Sequence, residues 1–512
     1  ARAENVATGE TTWQFSLGEG PELQVDARGW VTALPTWVAS NGTVYQQQAT
    51  TVIFTDGANQ PAGIYRAEWD GNGELVMPFV TETGTTPSGR HYALVNMPFD
   101  AHFGMEIHST DPANPIRNID LWMPDYNGES FVGDVWQPGS NESPFHPQFL
   151  QRLDNFDTLR FMDWQHTNYS DIVTWEDRQR LDDASQSDGD LIEYFHTNGV
   201  APEYLIELSN TIEANPWFNM PHQADDNFVR NFATMVRDTL DPDLTVYVEW
   251  SNELWNALFP VNGWIQQQMT LPQNAGLDFF QVAGQEIRRD FDIWSEVFAG
   301  QEDRLVRVVA GQQANSWITE QLLANVNGRV DAVSASAYAG ISYDRALTYT
   351  ATTTPDDIIN DLLNLSIPWA SARLQEHNAL VQQYEASLGR DLQFVTYESG
   401  AHVISNPSPL PFSPALNAAI EAMHSPRMYD VYQTLLGEVR EAGVDLYNEF
   451  NFTSHDGASF FGTFGLLHDM TTPLSEAHQL RSLLDFAASQ NDEDPPPPPP
   501  ENHAPIFPAV AP

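Results

Sequence analysis

The sequence contains no cysteine and no lysine, and both absences limit what the protein can do. Without cysteine there is no disulfide bond and no thiolate chemistry, and cysteine usage gives no indication of a cellular compartment. Without lysine, all 22 basic side chains are arginines, against 70 aspartates and glutamates. The net charge of -48 repels phosphate backbones and anionic headgroups, so we expect neither nucleic acid nor a membrane surface as a partner.

Several patterns with a strong functional meaning are also missing. No apolar run reaches the length of a membrane span. No glycine-rich nucleotide fingerprint follows a predicted strand, and no paired-histidine motif of the HExxH type occurs. An acidic stretch over residues 182–193 has its glycine one position late for an EF-hand loop, which favours a solvated loop over a calcium site. We therefore expect no organic cofactor and no catalytic metal.

The remaining composition favours an exported protein with a neutral substrate. An acidic excess without lysine is typical of proteins from saline habitats, where salt screens charge repulsion over a few ångströms. The chain begins at Ala1 in a polar stretch without methionine, as expected after removal of a signal peptide. We therefore predict a halophilic, extracellular monomer whose partner is a neutral molecule such as a polysaccharide.

Residues 1–110 have the pattern of an all-β domain. Short apolar segments such as 51–55 (TVIFT) and 74–80 (ELVMPFV) are separated by turn sequences such as DGNG and TPSG. The spacing of these turns is typical of a β-sandwich. We predict an N-terminal β-sandwich, and the alternative that this domain dominates function by anchoring the protein to a surface or partner stays open.

Residues 111–487 alternate between apolar strands and amphipathic stretches, as in parallel βα units. The sequence therefore predicts the α/β class and a (β/α)₈ TIM barrel, in which active-site residues lie at the carboxyl ends of the strands. The eight strand candidates are residues 116–123, 158–164, 216–222, 244–253, 305–311, 330–338, 392–398 and 444–451.

Residues 488–512 follow the predicted barrel and include an uninterrupted proline run. Such a run is extended and semi-rigid and cannot join the core of a helix or sheet, so we predict a linker. The closing residues, HAPIFPAVAP, resemble the opening of an immunoglobulin-like or cadherin-like module.

Two glutamates end predicted strands in the way that hydrolysis of a glycosidic bond requires. The reaction needs a carboxylic acid that protonates the departing oxygen and a carboxylate that attacks the anomeric carbon, roughly 5 Å apart when configuration is retained. Glu253 follows Asn252 at the end of the fourth strand (VYVEWSNE), and Glu398 ends the seventh (FVTYE). We predict that Glu253 and Glu398 form the catalytic pair.

These motifs resemble clan A of the glycoside hydrolases, with family 5 as the nearest comparison, over the whole predicted barrel. The resemblance implies a retaining enzyme in which Glu253 is the acid/base, Asn252 hydrogen-bonds the sugar 2-hydroxyl and Glu398 is the nucleophile. It extends to Arg160 on the second strand (LRF) and Tyr338 on the sixth (SAY). In the clan, an arginine and a tyrosine so placed hold the nucleophile ionised, because a cation and a hydroxyl donor lower the pKa of a carboxyl.

Other positions concern the substrate. His222 ends the third strand (MPH) and is a further match to the clan, whereas the eighth strand has YNEFNF where family 5 has a tryptophan platform. Residues 160–256 also resemble exported bacterial proteins labelled cellulose-binding. The predicted substrate contacts are Asn252, Arg160, His222, Tyr338, Trp164 and Trp255.

Several of these residues also have a purely structural interpretation. Arg160 could be a buried ion-pair partner, and His222 could be a core histidine. Glu249 shares an inward face with Glu253 by alternation, and a satisfied buried polar group is favoured over a direct role. Glu449, near the end of the eighth strand, is favoured as a hydrogen-bonded structural residue. Core packing is likewise favoured individually over sugar stacking for Trp164, Trp250, Trp255 and Trp317.

The sequence thus predicts a secreted, endo-acting glycoside hydrolase that cleaves a β-linked neutral polysaccharide, a glucan, mannan or xylan, by double displacement. The main alternative is a non-catalytic carbohydrate-binding scaffold on the same barrel. Release of reducing ends from a glycan panel distinguishes the two.

Overall fold

The computed structural model describes residues 1–55, 57–125, 128, 130–140, 142–186, 198–403, 415–453 and 464–490. The chain divides into two compact units, of which the first comprises Ala1–Arg152, Gln179–Asp188 and Val200–Thr211 and the second the remainder. The predicted linker and module lie outside the described residues from residue 491 onward, as does the acidic loop from residue 187 to residue 193.

The first unit consists mainly of antiparallel strands. Its largest sheet has the order β2-β1-β6-β11-β8 with β5 beside β6, a second has the order β12-β7-β10-β9, and β3 pairs with β4. The strands are β1 (Arg2–Asn5), β2 (Thr11–Trp13), β3 (Gln24–Val25), β4 (Val31–Ala33), β5 (Thr36–Val38), β6 (Val44–Phe54), β7 (Gly63–Asp70), β8 (Gly73–Val76), β9 (Val80–Thr85), β10 (His91–Met97), β11 (Phe103–Thr110) and β12 (Arg117–Trp122). The helices of this part of the chain are α1 (Gln14–Leu17), α2 (Pro147–Leu153) and α3 (Pro202–Thr211).

The two larger sheets contribute to one hydrophobic cluster. Tyr65 and Ala67 from β7 meet Phe103 and Met105 from β11 in this cluster, and all four are buried. The members are two residues apart on each strand, because successive side chains of a strand point to opposite faces.

The strand predicted to open the barrel belongs to this unit instead. Residues 117–122 form β12, which pairs antiparallel with β7, with Leu121 opposite Ala67. Ile119 and Leu121 pack against the hydrophobic cluster of the two sheets. The prediction that residues 116–123 form the first barrel strand is therefore wrong, because alternation identifies a strand without identifying its neighbour.

The second unit contains a parallel sheet of six strands in chain order. They are β13 (Thr158–Arg160), β14 (Asn215–Met220), β15 (Val246–Trp250), β16 (Leu305–Gly311), β17 (Ala332–Gly340) and β18 (Gln393–His402). The helices are α4 (Asp226–Thr239), α5 (Pro260–Met269), α6 (Phe279–Val297), α7 (Ser316–Asn325), α8 (Tyr343–Ala346), α9 (Pro355–Asp361), α10 (Ile367–Leu388), α11 (Leu416–Met423), α12 (Met428–Glu441) and α13 (His478–Gln490). Short 3-10 turns lie at Thr167–Tyr169, Trp175–Asp177, Pro272–Asn274 and Glu302–Arg304, and a π-helical turn at Leu362–Ser366.

The parallel sheet curls into a nearly closed barrel. Arg160 on the first strand donates a hydrogen bond of 3.0 Å to Glu398 on the last strand, which a flat sheet would not allow. The predicted eighth strand contributes a parallel bridge between Leu446 and Val395. Six of the eight predicted strand segments therefore form the sheet, and a seventh lies along its edge.

Local sequence accounts for these elements. All five residues of β15 are buried, as expected for a parallel strand that is covered on both faces. Asp225 caps α4 by accepting a hydrogen bond from the backbone nitrogen of Phe228. Phe228, Phe232 and Val236 then follow at helical spacing on the buried face. None of the helices among the described residues has both the length and the apolar character needed to cross a membrane.

Candidate active site

The candidate site is built around one buried arginine near the carboxyl ends of the parallel strands. Arg160 is the last residue of β13, and its side chain is 6% exposed. Its guanidinium donates hydrogen bonds to Glu398 Oε1 at 3.0 Å, to Glu249 Oε2 at 3.0 Å and to Asn252 Oδ1 at 2.9 Å. One cation therefore serves two buried carboxylates, which come from β18 and β15.

The second oxygen of Glu398 accepts a hydrogen bond from the phenol of Tyr338 at 3.0 Å. Tyr338 lies on β17, and its backbone nitrogen and oxygen both hydrogen-bond the side chain of Gln313, at 3.2 Å and 3.1 Å. These two bonds fix the backbone of Tyr338 against Gln313 and thereby help to hold its phenol in place. Both oxygens of Glu398 have a donor, which fixes the plane of the carboxyl group.

Glu253 is connected to this group through Tyr397, whose ring lies against the guanidinium of Arg160 with 5.3 Å between the guanidinium carbon and the ring centroid. The phenol of Tyr397 donates to Glu253 Oε1 at 2.9 Å, and Asn256 donates to Glu253 Oε2 at 2.9 Å. The backbone of Ser251 and of Glu253 is left-handed, with φ angles of 59° and 38°. Such conformations are unfavourable for residues other than glycine and occur often at functional sites.

A β-bulge explains why two neighbours on β18 both reach the site. In the pairing of β17 with β18, Ala335 lies opposite Thr396 but Ala337 lies opposite Ser399, so β18 has one extra residue there. A bulge changes the direction of the side chains that follow it. Tyr397 and Glu398 therefore both contribute to the network, although strict alternation would separate them.

Burial raises the pKa of Glu398 to about 8. Arg160 and Tyr338 act to lower it, but the loss of solvation outweighs them, and the negative charges of Glu253 and Asp163 raise it further. Burial also raises the pKa of Glu249, against the influence of Arg160. Burial thus opposes the expected effect of Arg160 and Tyr338 on Glu398, because one cation is shared between two buried carboxylates.

The remaining predicted residues lie in aromatic surroundings. His222 is 2% exposed, its ring meets Trp264 edge-on at 5.8 Å, and burial lowers its pKa to about 4, so it is neutral near pH 7. Trp164 packs against Phe161, with 6.0 Å between ring centroids. Trp255 lies against Tyr397, the hydrogen-bond partner of Glu253, at 6.4 Å. The structure thus joins Arg160, Asn252, Glu253, Tyr338 and Glu398 in one network, with Trp255 packed beside it.

Sequence reasoning missed Tyr397 and Asn168. Asn168 accepts a hydrogen bond of 3.0 Å from Asn252 and so helps to orient it. Asn168 lies in the 3-10 turn Thr167–Tyr169 after β13, where no periodic pattern marks it, and the bulge places Tyr397 where strict alternation does not predict it. Glu249 was interpreted as a satisfied buried polar residue, and its hydrogen bonds to Trp217 and Asn219 agree with that.

No protein-family model and no curated protein matches the sequence. Among solved structures, the family 51 arabinofuranosidase from Xanthomonas axonopodis pv. citri aligns at 12% identity over 64% of this chain and 64% of that chain, with a TM-score of 0.44. For the family 51 α-L-arabinofuranosidase from Bifidobacterium longum the identity is 12%, the coverage 65% and 66%, and the TM-score 0.42. For a modular endo-β-1,4-mannanase from Cellulomonas fimi the values are 13%, 70% and 68%, and 0.34. The alignments span slightly less than two thirds of the two arabinofuranosidases, and likenesses this distant leave the family of the chain open.

Proposed function

We propose that the protein is a retaining glycoside hydrolase that cleaves a β-linked neutral polysaccharide by double displacement, as an endo-acting extracellular enzyme. One observation carries the proposal: two carboxyl groups from different strands lie close enough for the charge of half-buried Glu253 to act on buried Glu398. Arg160 and Tyr338 each donate to Glu398, and Tyr397, its neighbour in sequence, donates to Glu253. Paired carboxyl groups of this kind are what glycosidic bond cleavage requires.

In the first step of the proposed reaction, the carboxylate of Glu398 attacks the anomeric carbon and forms a glycosyl ester. The bond to the leaving oxygen breaks, and that oxygen takes the proton of Glu253. In the second step water attacks the same carbon, Glu253 takes a proton from the water, and the ester bond to Glu398 breaks. Both glutamates then return to their starting protonation states.

The first step needs Glu398 in its ionised form. Because burial raises the pKa of Glu398 to about 8, the ionised fraction increases as the pH rises towards 8. We expect the rate of hydrolysis to increase with pH as Glu398 ionises, and to fall again where Glu253 loses the proton that it must deliver to the leaving oxygen.

The net charge of -48 of the whole chain and the exposed side chain of Trp317 support a neutral sugar substrate. Trp317 is 53% exposed on the first turn of α7, whereas Trp250 is 3% exposed. Phe280 meets the ring of Trp317 at 5.3 Å and 89°, which restricts its orientation. Gln313, four residues before Trp317, is the residue that hydrogen-bonds Tyr338. We propose that Trp317 stacks on a sugar ring of the substrate, in addition to the predicted contacts of Asn252, His222, Trp164 and Trp255.

The test is hydrolysis of a polysaccharide panel by the parent protein and by Glu253→Gln and Glu398→Gln, with products separated by chromatography. Each substitution keeps the shape of the side chain but removes the group that carries the reaction, so we expect a loss of at least about 100-fold in kcat. Glu449→Gln is the matched control, because Glu449 is also a carboxyl with a raised pKa but bonds to other residues. Near-full activity of either catalytic variant would refute the assignment.

A non-catalytic carbohydrate-binding scaffold is the second candidate. The raised pKa of Glu398 favours it, since an uncharged carboxyl is a poor nucleophile at neutral pH. Calorimetric binding of a glycan at pH 7 and pH 9, with no release of reducing ends at either pH, would support the scaffold over the enzyme.

A further inference from the structure

Glu249 lies at the centre of the network but has no place in the proposed reaction. It is 3% exposed on β15. Its Oε2 atom accepts hydrogen bonds from Arg160 Nε at 3.3 Å and Nη2 at 3.0 Å, from Trp217 Nε1 at 3.0 Å and from Asn219 Nδ2 at 2.9 Å. Burial raises the pKa of Glu249, whereas the guanidinium of Arg160 and the donors from Asn219 and Trp217 lower it. We take Glu249 as ionised, because four N–H donors on one oxygen stabilise the charged form, which accepts such bonds most strongly. A side chain so enclosed is not available to a substrate.

The guanidinium of Arg160 lies between Glu249 and Glu398. It turns Nε and Nη2 towards Glu249 and Nη1 towards Glu398. Nη2 also donates to Asn252 at 2.9 Å, so Glu249 and Asn252 together orient the guanidinium towards Glu398. Of these two, only Glu249 competes with Glu398 for the positive charge. The three side chains together carry a net charge of one negative unit when both glutamates are ionised.

We propose that Glu249 is a positioning residue that orients Arg160 and shares its positive charge, and that it thereby determines the pH at which Glu398 becomes ionised and able to attack. The inference rests on the proposed function, in which ionised Glu398 is the nucleophile.

Three charged side chains and one neutral phenol also act on Glu398. Glu253 and Asp163 disfavour its ionised form, and Arg160 and Tyr338 favour it. A substitution at Glu249 leaves these four groups in place, so that a change in the titration of Glu398 reports on Glu249.

The experiment is Glu249→Gln in the full chain. The amide oxygen of glutamine can keep the four N–H donors, so the change removes a charge and preserves the shape. With the charge of Arg160 then available to Glu398 alone, we expect the rising limb of kcat/KM against pH to move to lower pH by about one unit. At pH 6.5 the variant would then be several-fold more active than the parent, relative to each protein's own plateau.

A second measurement does not depend on turnover. The titration of Glu398 is followed by NMR of 13C-labelled glutamate carboxyl carbons, with Glu398→Gln used to assign the signal. The same downward shift of about one pH unit is expected. If Glu398 shifts but no glycan is cleaved by the parent, the charge sharing stands and the proposed function fails.

The matched control is Asp290→Asn, which removes another fully buried carboxylate paired with an arginine, Arg289, on α6. This variant controls for a general loss of stability when a buried carboxylate is removed. We expect it to leave the pH profile and the NMR titration of Glu398 unchanged. An unchanged titration of Glu398 in folded Glu249→Gln overturns the proposal, as does an equal shift in Asp290→Asn.

Discussion

Glu398 and Glu449 lie close together in the structure and share one property. Burial raises the pKa of each to about 8. They are adjacent through the backbone: a side-chain carbon placed on Gly400, two residues after Glu398, would lie 2.2 Å from Glu449 Oε1. Gly400 also has a positive φ of 121°, so this position requires glycine.

The two glutamates differ in what they bind. Glu449 accepts hydrogen bonds of 2.6 Å from the phenols of Tyr432 and Tyr447. Glu398 accepts from one phenol and from the cation Arg160, which also contacts Glu249. A phenol donates to a carboxyl without changing the local charge, whereas a guanidinium supplies the charge that stabilises a carboxylate. A raised pKa alone therefore does not identify a catalytic carboxyl; a cation and a second carboxyl within one network do so better.

The largest expected effect comes from removing Arg160, the cation that donates to Glu398 but not to Glu449. In Arg160→Met, Glu398 loses the group that favours its ionised form, and Glu249 is left buried without a positive charge. We expect kcat/KM to fall by at least about 100-fold and the free energy of unfolding to fall by about 3–5 kcal/mol. Steady-state kinetics and urea denaturation measure the two effects.

Arg289→Met is the comparison for Arg160→Met, since Arg289 pairs with buried Asp290 and donates to the backbone of Ala224. It should destabilise the protein but leave kcat/KM of the folded fraction unchanged. Equal kinetic losses in both variants would mean that Arg160 acts only through stability.

A smaller effect is expected from removing one phenol at each glutamate. In Tyr338→Phe, Glu398 loses a donor that lowers its pKa, so the pKa rises and the rising limb of the pH profile moves to higher pH. A hydrogen bond to a charged group is worth about 1.5–3 kcal/mol, which corresponds to a shift of about one pH unit or more. Tyr447→Phe removes the equivalent bond from Glu449 and should leave the profile in place, and a shift in that variant would place Glu449 in the reaction.

The effect that is smallest per pH unit concerns stability. The folded pKa of Glu449, about 8, lies above the ordinary glutamate value of 4.5, so the folded state holds a proton that the unfolded state releases. Its stabilising contribution is complete below pH 4.5 and is lost as the pH rises to about 8. The slope is up to about 1.4 kcal/mol per pH unit.

Glu449→Gln should remove this slope. Urea denaturation at pH 5, 6.5 and 8 measures this slope. Glu398→Gln should reduce the pH dependence of stability by a similar amount. If Glu449→Gln is as pH-dependent as the parent, Glu449 is already ionised in the folded state.

The positions of the site residues could be predicted because each of them lies on an apolar strand or just after one. Arg160, Tyr338 and Glu398 lie on separate strands, and the carboxyl ends of parallel strands meet at one end of a barrel. Which strands pair with each other cannot be predicted from such a local pattern. Residues 117–122 alternate as a strand should, yet pair antiparallel with β7. The bulge on β18 depends on the register with β17, which alternation alone does not contain.

The protonation of Glu398 was also beyond sequence reasoning. Arg160 and Tyr338 were placed beside it, and both act on its pKa in the expected direction. The result depends on how deeply the carboxyl is buried and on whether Arg160 has other partners. Glu249 is such a partner, and a motif does not say how one charge is divided between two neighbours.

The extra residue in β18 has a consequence for protein engineering. Tyr397 fixes Glu253, and Glu398 is the very next residue, so one peptide unit relates the positions of both carboxyl groups. Deleting either residue would restore regular pairing and turn the other away from its partner. Libraries that aim to alter the distance between the two carboxyl groups should therefore vary the turn around Ser251 and Glu253 and keep residues 397 and 398 as one block.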